Sequence, residues 1–105
     1  MKTDDVYLAQ MRDAVAKTER FVSGMSQSEF ETDEKTQSAV IMQLALIGEL
    51  AKKVSAGTRE TIDLPWKEIA GFRDNAIHDY FNIDLSIVWQ TILEDIPVLK
   101  NALGE

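Results

Sequence analysis

Apolar residues recur at helical spacing along almost the whole chain, and this periodicity constrains the fold more than any other feature. The clearest stretch runs from about Asp33 to Val54, where aliphatic side chains return every three or four positions. Gly48 lies within it, and its missing side chain leaves room for the close approach of a neighbouring element. No hairpin pattern, repeat or low-complexity segment is present. The spacing therefore predicts an all-α fold.

End signals divide the N-terminal part into a long and a short helix. The first helix is expected to begin after Thr3 and to stop at Ser23 and Gly24, since glycine commonly ends helices. Ser26 followed three residues later by Glu29 has the pattern of a capping box, which predicts a short helix or an ordered turn.

The C-terminal part is expected to contain two more long helices. Residues 58–65 are predicted to be a connection whose final proline suits a helix start. Helical spacing then continues from Trp66 to Tyr80. Asp84 is a good N-cap for the last helix, which Pro97 is expected to end or kink.

The length bounds the organisation of the protein. A chain of 105 residues suits one core, so residues 1–105 are expected to form a single domain, an antiparallel bundle of four or five helices. The longest apolar stretch, Ala39 to Ile47, is interrupted by Gln43 and is too short for a bilayer span. The charged N-terminus does not resemble a signal peptide, and cysteine is absent. These features predict a cytoplasmic protein without membrane association.

Charge restricts the possible partners. The net charge of −7 argues against non-specific binding of a polyanion such as a nucleic acid. Residues 35–67 are the only third of the chain with more basic than acidic side chains, and this third ends just before Arg73. This third could contact nucleic acid locally, but sufficient affinity would require a favourable arrangement of its side chains or a second subunit.

The run from Arg73 to Tyr80 concentrates the unusual chemistry of the chain. His78 is the only histidine and can move a proton near neutral pH, while the Arg73 guanidinium suits phosphate oxygens. Together they could support attack of an RNA 2′-hydroxyl on its phosphodiester without a metal or cofactor, and no metal-ligand spacing accompanies them. From these residues alone, a helix end with a solvated arginine and a packed histidine is the commoner explanation.

Helical geometry adds a constraint. On one ideal helix Arg73 and Tyr80 lie within ~20° of each other, whereas His78 lies ~140° from Arg73. Either the helix loosens near His78, or another molecule completes the site. A two-fold dimer with this helix at its interface would bring two copies of His78 into one cleft.

The spacing of Arg73, His78 and Tyr80 resembles the signature of the HepT-like HEPN toxins. The resemblance covers most of the chain, because further matching segments occur in the same order: Gln37-Ser38-Ala39-Val40, Ile47-Gly48-Glu49, Pro65-Trp66, Asp84-Leu85 and Val88-Trp89. It implies a helical HEPN fold, a homodimer with its motifs in a shared cleft, and endoribonuclease activity as the toxin of a toxin–antitoxin pair.

The resemblance also implies roles for individual residues. Arg73 and His78 would be catalytic, and Glu49 would orient a motif side chain, although a solvated or helix-pairing role is as frequent. The partner would be a minimal nucleotidyltransferase antitoxin that attaches AMP to Tyr80, adding bulk and negative charge. Asp74 stands where the family often has asparagine, so it either orients Arg73 or weakens RNA binding.

Two other functions are compatible with the sequence. One is a non-catalytic helical partner that docks on and regulates a nucleotidyltransferase, which suits the acidic composition. The other is a helical dimerisation module. The pair of Arg73 and His78 favours the nuclease, since a docking module does not need it.

Overall fold

The computed structural model describes residues 2–104, which form helices and no strands. The helices are α1 (Lys2–Val22), α2 (Gln27–Thr32), α3 (Glu34–Lys53), α4 (Ala56–Thr61), α5 (Trp66–His78) and α6 (Leu85–Ala102), with a 3-10 turn at Tyr80–Asn82. Four helices are long, and α2 and α4 have six residues each. The prediction of an all-α bundle is confirmed. Within these residues no helix is both long and apolar enough to cross a membrane.

Local capping sets several helix boundaries where they were predicted. Gly24 follows α1 with φ of 74°, a conformation that favours glycine. The Glu29 amide donates to Ser26 Oγ at 3.1 Å, and the Ser26 amide donates to Glu29 Oε1 at 2.8 Å, which completes the capping box of α2. Asp84 Oδ1 accepts from the Ser86 amide at 2.9 Å at the start of α6.

Helix α3 is the centre of the bundle, with α1 on one side and α5 on the other, while α6 packs against α1 and α2. Asp4 at the start of α1 bonds Ser55 just after α3, and Ser38 near the start of α3 bonds Tyr80 just after α5. Neighbouring long helices therefore run antiparallel. The largest fully buried side chains come from α1, α2, α3 and α6 and from the residue that follows α3. They are Met11, Thr18, Phe30, Val40, Ile47, Val54, Ile96 and Leu99.

Both tryptophans contribute to the core, Trp89 within it and Trp66 packed against it. Trp89 is buried and its ring lies 5.4 Å from the ring of Phe30, which anchors the short α2. Trp66 is half-buried, and its indole nitrogen donates to the carbonyls of Arg59 and Ile62 at 3.1 and 3.0 Å. These bonds connect the first turn of α5 to the end of α4.

The predicted connection at residues 58–65 is wrong in its first half, because α4 occupies Ala56–Thr61. Ser55 caps this helix by accepting from the Thr58 amide. The Asp4 carboxylate then accepts from the Ser55 amide at 3.1 Å and from the hydroxyls of Ser55 and Thr58, both at 2.6 Å. A six-residue helix is unstable alone. This contact from α1 stabilises it and could not be read from local spacing.

The predicted helix from Trp66 to Tyr80 ends earlier, at His78. Asp79 leaves the helical region with φ of −121° and ψ of 25°, and the Asn82 amide donates to its carbonyl at 2.8 Å to form the 3-10 turn. The Tyr80 hydroxyl lies 3.0 Å from Ser38 Oγ on α3. This tertiary contact accompanies the change in backbone direction.

Pro97 lies inside α6, so the expectation that it ends the helix is wrong, and the alternative expectation of a kink stays a prediction. The proline removes one backbone bond to the carbonyl of Leu93, and both side chains are exposed, so water can satisfy that carbonyl. Ile96 and Leu99 on the other face are almost completely buried. Their packing holds the helix on both sides of the proline.

Asp4 is the one acidic side chain buried in the described residues, with 3% of its surface exposed. Hydrogen bonds from Ser55 and Thr58 hold the pKa of its carboxyl at about 2, well below the usual range. Because the folded-state pKa is depressed, the contribution of Asp4 to stability is complete above the unfolded pKa of about 3.9 and is lost as the pH falls toward about 2.

Replacing Asp4 by asparagine is expected to lower the Tm near neutral pH, because the amide leaves two hydroxyl donors poorly matched. It should also make the Tm fall less steeply as the pH drops through the range in which Asp4 titrates. Circular dichroism melts between neutral and strongly acidic pH measure both effects. Asp5→Asn changes an exposed neighbour and should keep the steep acid dependence. An Asp4→Asn protein with the parent acid dependence would contradict this assignment.

Candidate functional site

Gly48 brings the backbones of α3 and α5 together beneath Arg73. A Cβ atom at position 48 would lie 2.6 Å from the Arg73 nitrogen and 3.0 and 3.1 Å from the carbonyl oxygens of Ile69 and Ala70. Contacts this short are not tolerated, so no larger residue fits without displacing α5. The close approach expected from the sequence is confirmed. It fixes the position of Arg73 along the axis of α3.

Arg73 lies in a chain of four charged side chains that joins α3 to α5. Its Nε donates to Glu49 Oε1 at 3.0 Å, and its Nη1 lies 3.5 Å from Asp74 Oδ1. The same Asp74 oxygen accepts from Lys52 Nζ at 3.0 Å. The structure thus brings Glu49, Arg73 and Asp74 together, and it adds Lys52, to which the sequence assigned no part in the motif.

The positive and negative side-chain charges of this cluster nearly cancel. The Lys52 ammonium first, and the neighbouring Arg73 second, hold the pKa of the Asp74 carboxyl below its usual range. Two cations therefore face two anions at neutral pH. Arg73 and Asp74 expose 39% and 52% of their side chains, so the pairs are solvated and can exchange for an incoming phosphate.

Tyr80 is held at the other end of α3. Its hydroxyl lies 3.0 Å from Ser38 Oγ, and its ring stacks on Phe81 with a centroid distance of 5.5 Å. Phe81 is completely exposed, and Tyr80 exposes 41% of its surface. No role was predicted for Ser38, although it lies three helical turns before Glu49 and therefore on the same face of α3. That spacing was the signal available for Ser38.

His78 is the last residue of α5, and its side chain is exposed. Because α5 is α-helical throughout Arg73 to His78, the two side chains leave its axis ~140° apart. The helix does not loosen between them. Ser38 and Glu49, which contact Tyr80 and Arg73, are separated by about 16 Å along α3. One chain thus presents the three motif residues at different places on its surface.

Exposed apolar side chains lie between and beside these places. Met42 and Leu46 occupy the turns of α3 between Ser38 and Glu49, and they expose 57% and 44% of their surfaces. Ile77 of α5 is as exposed as Met42, and Phe81 is completely exposed. Such a patch next to a polar cluster is typical of an interaction surface.

A groove of about 340 Å³ opens between α3, α5 and α6. Its floor includes Ile41, Leu44, Phe72 and Val88, and its polar edge is formed by Asn75, Asp79, Asn82 and Asp84. Two of these residues adjoin the histidine along the chain, since Asn75 precedes His78 by one helical turn and Asp79 follows it directly, although His78 itself does not line the groove. Sequence reasoning missed this groove, because its edge comes from a turn whose path depends on tertiary contacts.

Within residues 2–104, no three histidine, cysteine, aspartate or glutamate side chains come together in a way that could hold a metal ion.

Comparison with known proteins identifies one family. The Ribonuclease HepT-like family matches residues 11–105. A protein of Thermococcus cleftensis named "Probable ribonuclease HepT" is 39% identical over 95 residues, which is 90% of this chain and 86% of the relative. A Caldanaerobacter subterraneus protein named "Putative RNase TTE0752" is 38% identical over 106 residues, covering 100% of this chain and 95% of the relative. No solved structure matches the chain at a significant level.

Gly48→Ala is expected to destabilise the protein by about 1–3 kcal/mol, because the added methyl group overpacks the contact between α3 and α5. Urea unfolding at neutral pH measures the change. Gly71→Ala is a matched control on α5, where an added Cβ meets open space, and there alanine should stabilise the helix by about 0.5–1 kcal/mol. If Gly48→Ala were as stable as the parent, the proposed contact would not constrain the two helices.

Proposed function

The chain belongs to the HepT-like ribonuclease family and is an endoribonuclease of that family, and we propose that it cleaves RNA at a composite site shared by two copies of the chain. The observation that carries this proposal is the divergence of Arg73 and His78 on a continuous helix. Arg73 points to α3, where Glu49 holds it, and His78 leaves α5 in another direction. A two-fold axis near the end of α5 would set Arg73 of one copy opposite His78 of the other.

The exposed apolar patch supports a homodimer in this arrangement. Met42, Leu46, Ile77 and Phe81 surround the motif residues and would be covered when two α5 ends meet. Burial of these side chains favours association through the hydrophobic effect. The charged cluster at Arg73 would lie at the edge of the same interface, where RNA can still reach it.

The proposed chemistry uses only side chains of the protein. His78 of one copy takes the proton of the RNA 2′-hydroxyl, whose oxygen attacks the adjacent phosphorus. The bond from phosphorus to the 5′-oxygen breaks, and His78 of the second copy donates a proton to that oxygen. The products are a 2′,3′-cyclic phosphate and a 5′-hydroxyl end. Arg73 stabilises the negative charge that develops on the phosphoryl oxygens.

Glu49 and Asp74 are proposed to position Arg73. Glu49 engages Nε, which leaves the terminal nitrogens of the guanidinium as the part that can reach a phosphate. Asp74 lies nearer to Lys52 than to Arg73, at 3.0 against 3.5 Å. Lys52 therefore offsets the negative charge of Asp74, which lessens its repulsion of RNA.

We further propose that the protein is the toxin of a toxin–antitoxin pair, neutralised by a nucleotidyltransferase that attaches AMP to Tyr80. The Tyr80 hydroxyl is exposed enough to be reached once it leaves Ser38. The added phosphodiester would place negative charge and bulk at the mouth of the composite cleft, opposing an anionic substrate.

Purified protein is expected to cleave RNA in EDTA, and His78→Ala or Arg73→Ala should each lower the rate by about 10²–10⁴-fold, since each removes a proton-transfer or charge-stabilising group. Gel assays on total RNA, with 2′,3′-cyclic phosphate ends identified by mass spectrometry, measure this. Arg20→Ala, which removes an exposed arginine of α1, is the matched control. Cleavage that survives both motif substitutions would refute the site.

Mixing active and inactive subunits tests the sharing of the site. A dimer of one parent subunit and one His78→Ala subunit keeps only one of the two histidines of the shared cleft and should be inactive. Random exchange between equal amounts of the two proteins should therefore lower the activity to about half of that of the same parent subunits alone, because only about a quarter of the dimers keep both histidines. Activity in proportion to the parent subunits would mean that each site uses the histidine of its own chain. Monomeric behaviour in light scattering would also exclude the shared cleft.

An inactive parent protein that binds a nucleotidyltransferase tightly would instead support the non-catalytic regulatory partner. The net charge of −7 is the feature that favours this second function.

Co-expression with the nucleotidyltransferase is expected to add AMP units to the protein, detectable by intact mass. Tyr80→Phe should abolish the addition, because the acceptor oxygen is removed. The chain has two tyrosines, and Tyr7→Phe is the matched control, since Tyr7 lies on α1 under Lys53. Modification that persists in Tyr80→Phe, or that disappears in Tyr7→Phe, would place the acceptor elsewhere.

A further inference from the structure

We infer that the groove between α3, α5 and α6 binds a nucleobase of the RNA substrate and prefers guanine. This inference rests on the proposed ribonuclease function and extends it to the choice of cleavage position. The volume of about 340 Å³ is at the small end of ligand pockets, which suits one planar base and its sugar rather than a folded peptide segment. Its floor is apolar, as a base face requires, and includes the ring of Phe72.

The polar edge of the groove matches the hydrogen-bonding edge of guanine. Asp79 supplies a carboxylate that, within the described residues, makes no hydrogen bond or ion pair. The carboxylate of Asp84 is partly occupied, because its Oδ1 already accepts from the amide and hydroxyl of Ser86. Asp79 is therefore the carboxylate with both oxygens available, and the side-chain amides of Asn75 and Asn82 can donate beside it.

Guanine presents two adjacent donors, N1–H and the N2 amino group, next to the acceptor O6. A carboxylate accepts from both donors, and an amide NH2 can donate to O6. Adenine and cytosine place a ring nitrogen acceptor beside one amino group, so that acceptor would face a carboxylate oxygen. Uracil has a single donor between two carbonyl groups. A base whose polar groups do not match this edge forgoes hydrogen bonds that guanine makes, and the edge of the groove therefore discriminates in favour of guanine.

The position of the groove links base binding to the reaction. Asp79 follows His78 directly, and Asn75 lies one turn before His78 on α5. A base seated between them belongs to a nucleotide whose phosphate lies beside the imidazole. The two carboxylates at the edge repel phosphate, so the base rather than the backbone enters the groove.

The direct test is titration of ¹⁵N-labelled parent protein with the 5′-monophosphates of guanosine, adenosine, cytidine and uridine. These ligands share a phosphate, so differences among them report the base. GMP is expected to shift the side-chain amide signals of Asn75 and Asn82 and to bind about tenfold more tightly than the others. Asp79→Asn should remove this preference, and Asp63→Asn, an equal charge change at an exposed residue outside the groove, should keep it.

Sequencing of cleavage ends provides a second measure, because the parent should cut next to guanine and Asp79→Asn should cut with less base preference. Equal binding of all four nucleotides, or no shift of the two amides, would overturn the inference. So would amide shifts that follow protein concentration instead of GMP, since the groove would then be covered by a second copy. If the parent binds GMP but leaves RNA intact, the ribonuclease proposal fails while the base site remains.

Discussion

The backbone contact at Gly48 is the constraint on which the rest of the candidate site depends. With no side chain at this position, α5 lies directly against α3, and the nitrogen of Arg73 occupies the space that a Cβ would take. This contact sets the register between the two helices. Glu49 meets Arg73, Lys52 meets Asp74 one turn further, and Ser38 meets Tyr80 at the opposite end. A small change in the separation of α3 and α5 would alter all three contacts together.

The charge distribution bears on how an acidic protein could bind a phosphate through Arg73, the role proposed for this arginine. The net charge is −7, yet the cluster around Arg73 is balanced, because Lys52 and Arg73 offset Glu49 and Asp74. Attraction between the whole protein and RNA is therefore weak, and recognition has to come from a few well-placed groups. A cleft formed by two copies would double the arginines and histidines available to one phosphodiester. An acidic surface elsewhere would limit binding outside that cleft.

Several local features were predictable because neighbouring residues determine them. The capping box of Ser26 and Glu29, the N-cap at Asp84 and the end of α1 at Gly24 all follow from bonds or backbone angles within a few residues. The helix α4, the early end of α5 and the continuity of α6 through Pro97 were not predictable in this way. Each depends on residues distant in sequence, or on which face of a helix is exposed to water.

The sequence by itself determined the helical class, the identity of the family through its ordered motifs, and the divergence of Arg73 and His78 on one helix, since periodicity and spacing are properties of the chain alone. Only the tertiary structure decided the partners of these residues. Glu49 and Lys52 reach the motif across a helix contact, and Ser38 binds Tyr80 from 42 residues away. The groove beside His78 likewise exists only after α3, α5 and α6 pack, because contacts between distant segments form only when the apolar faces of the helices are buried together.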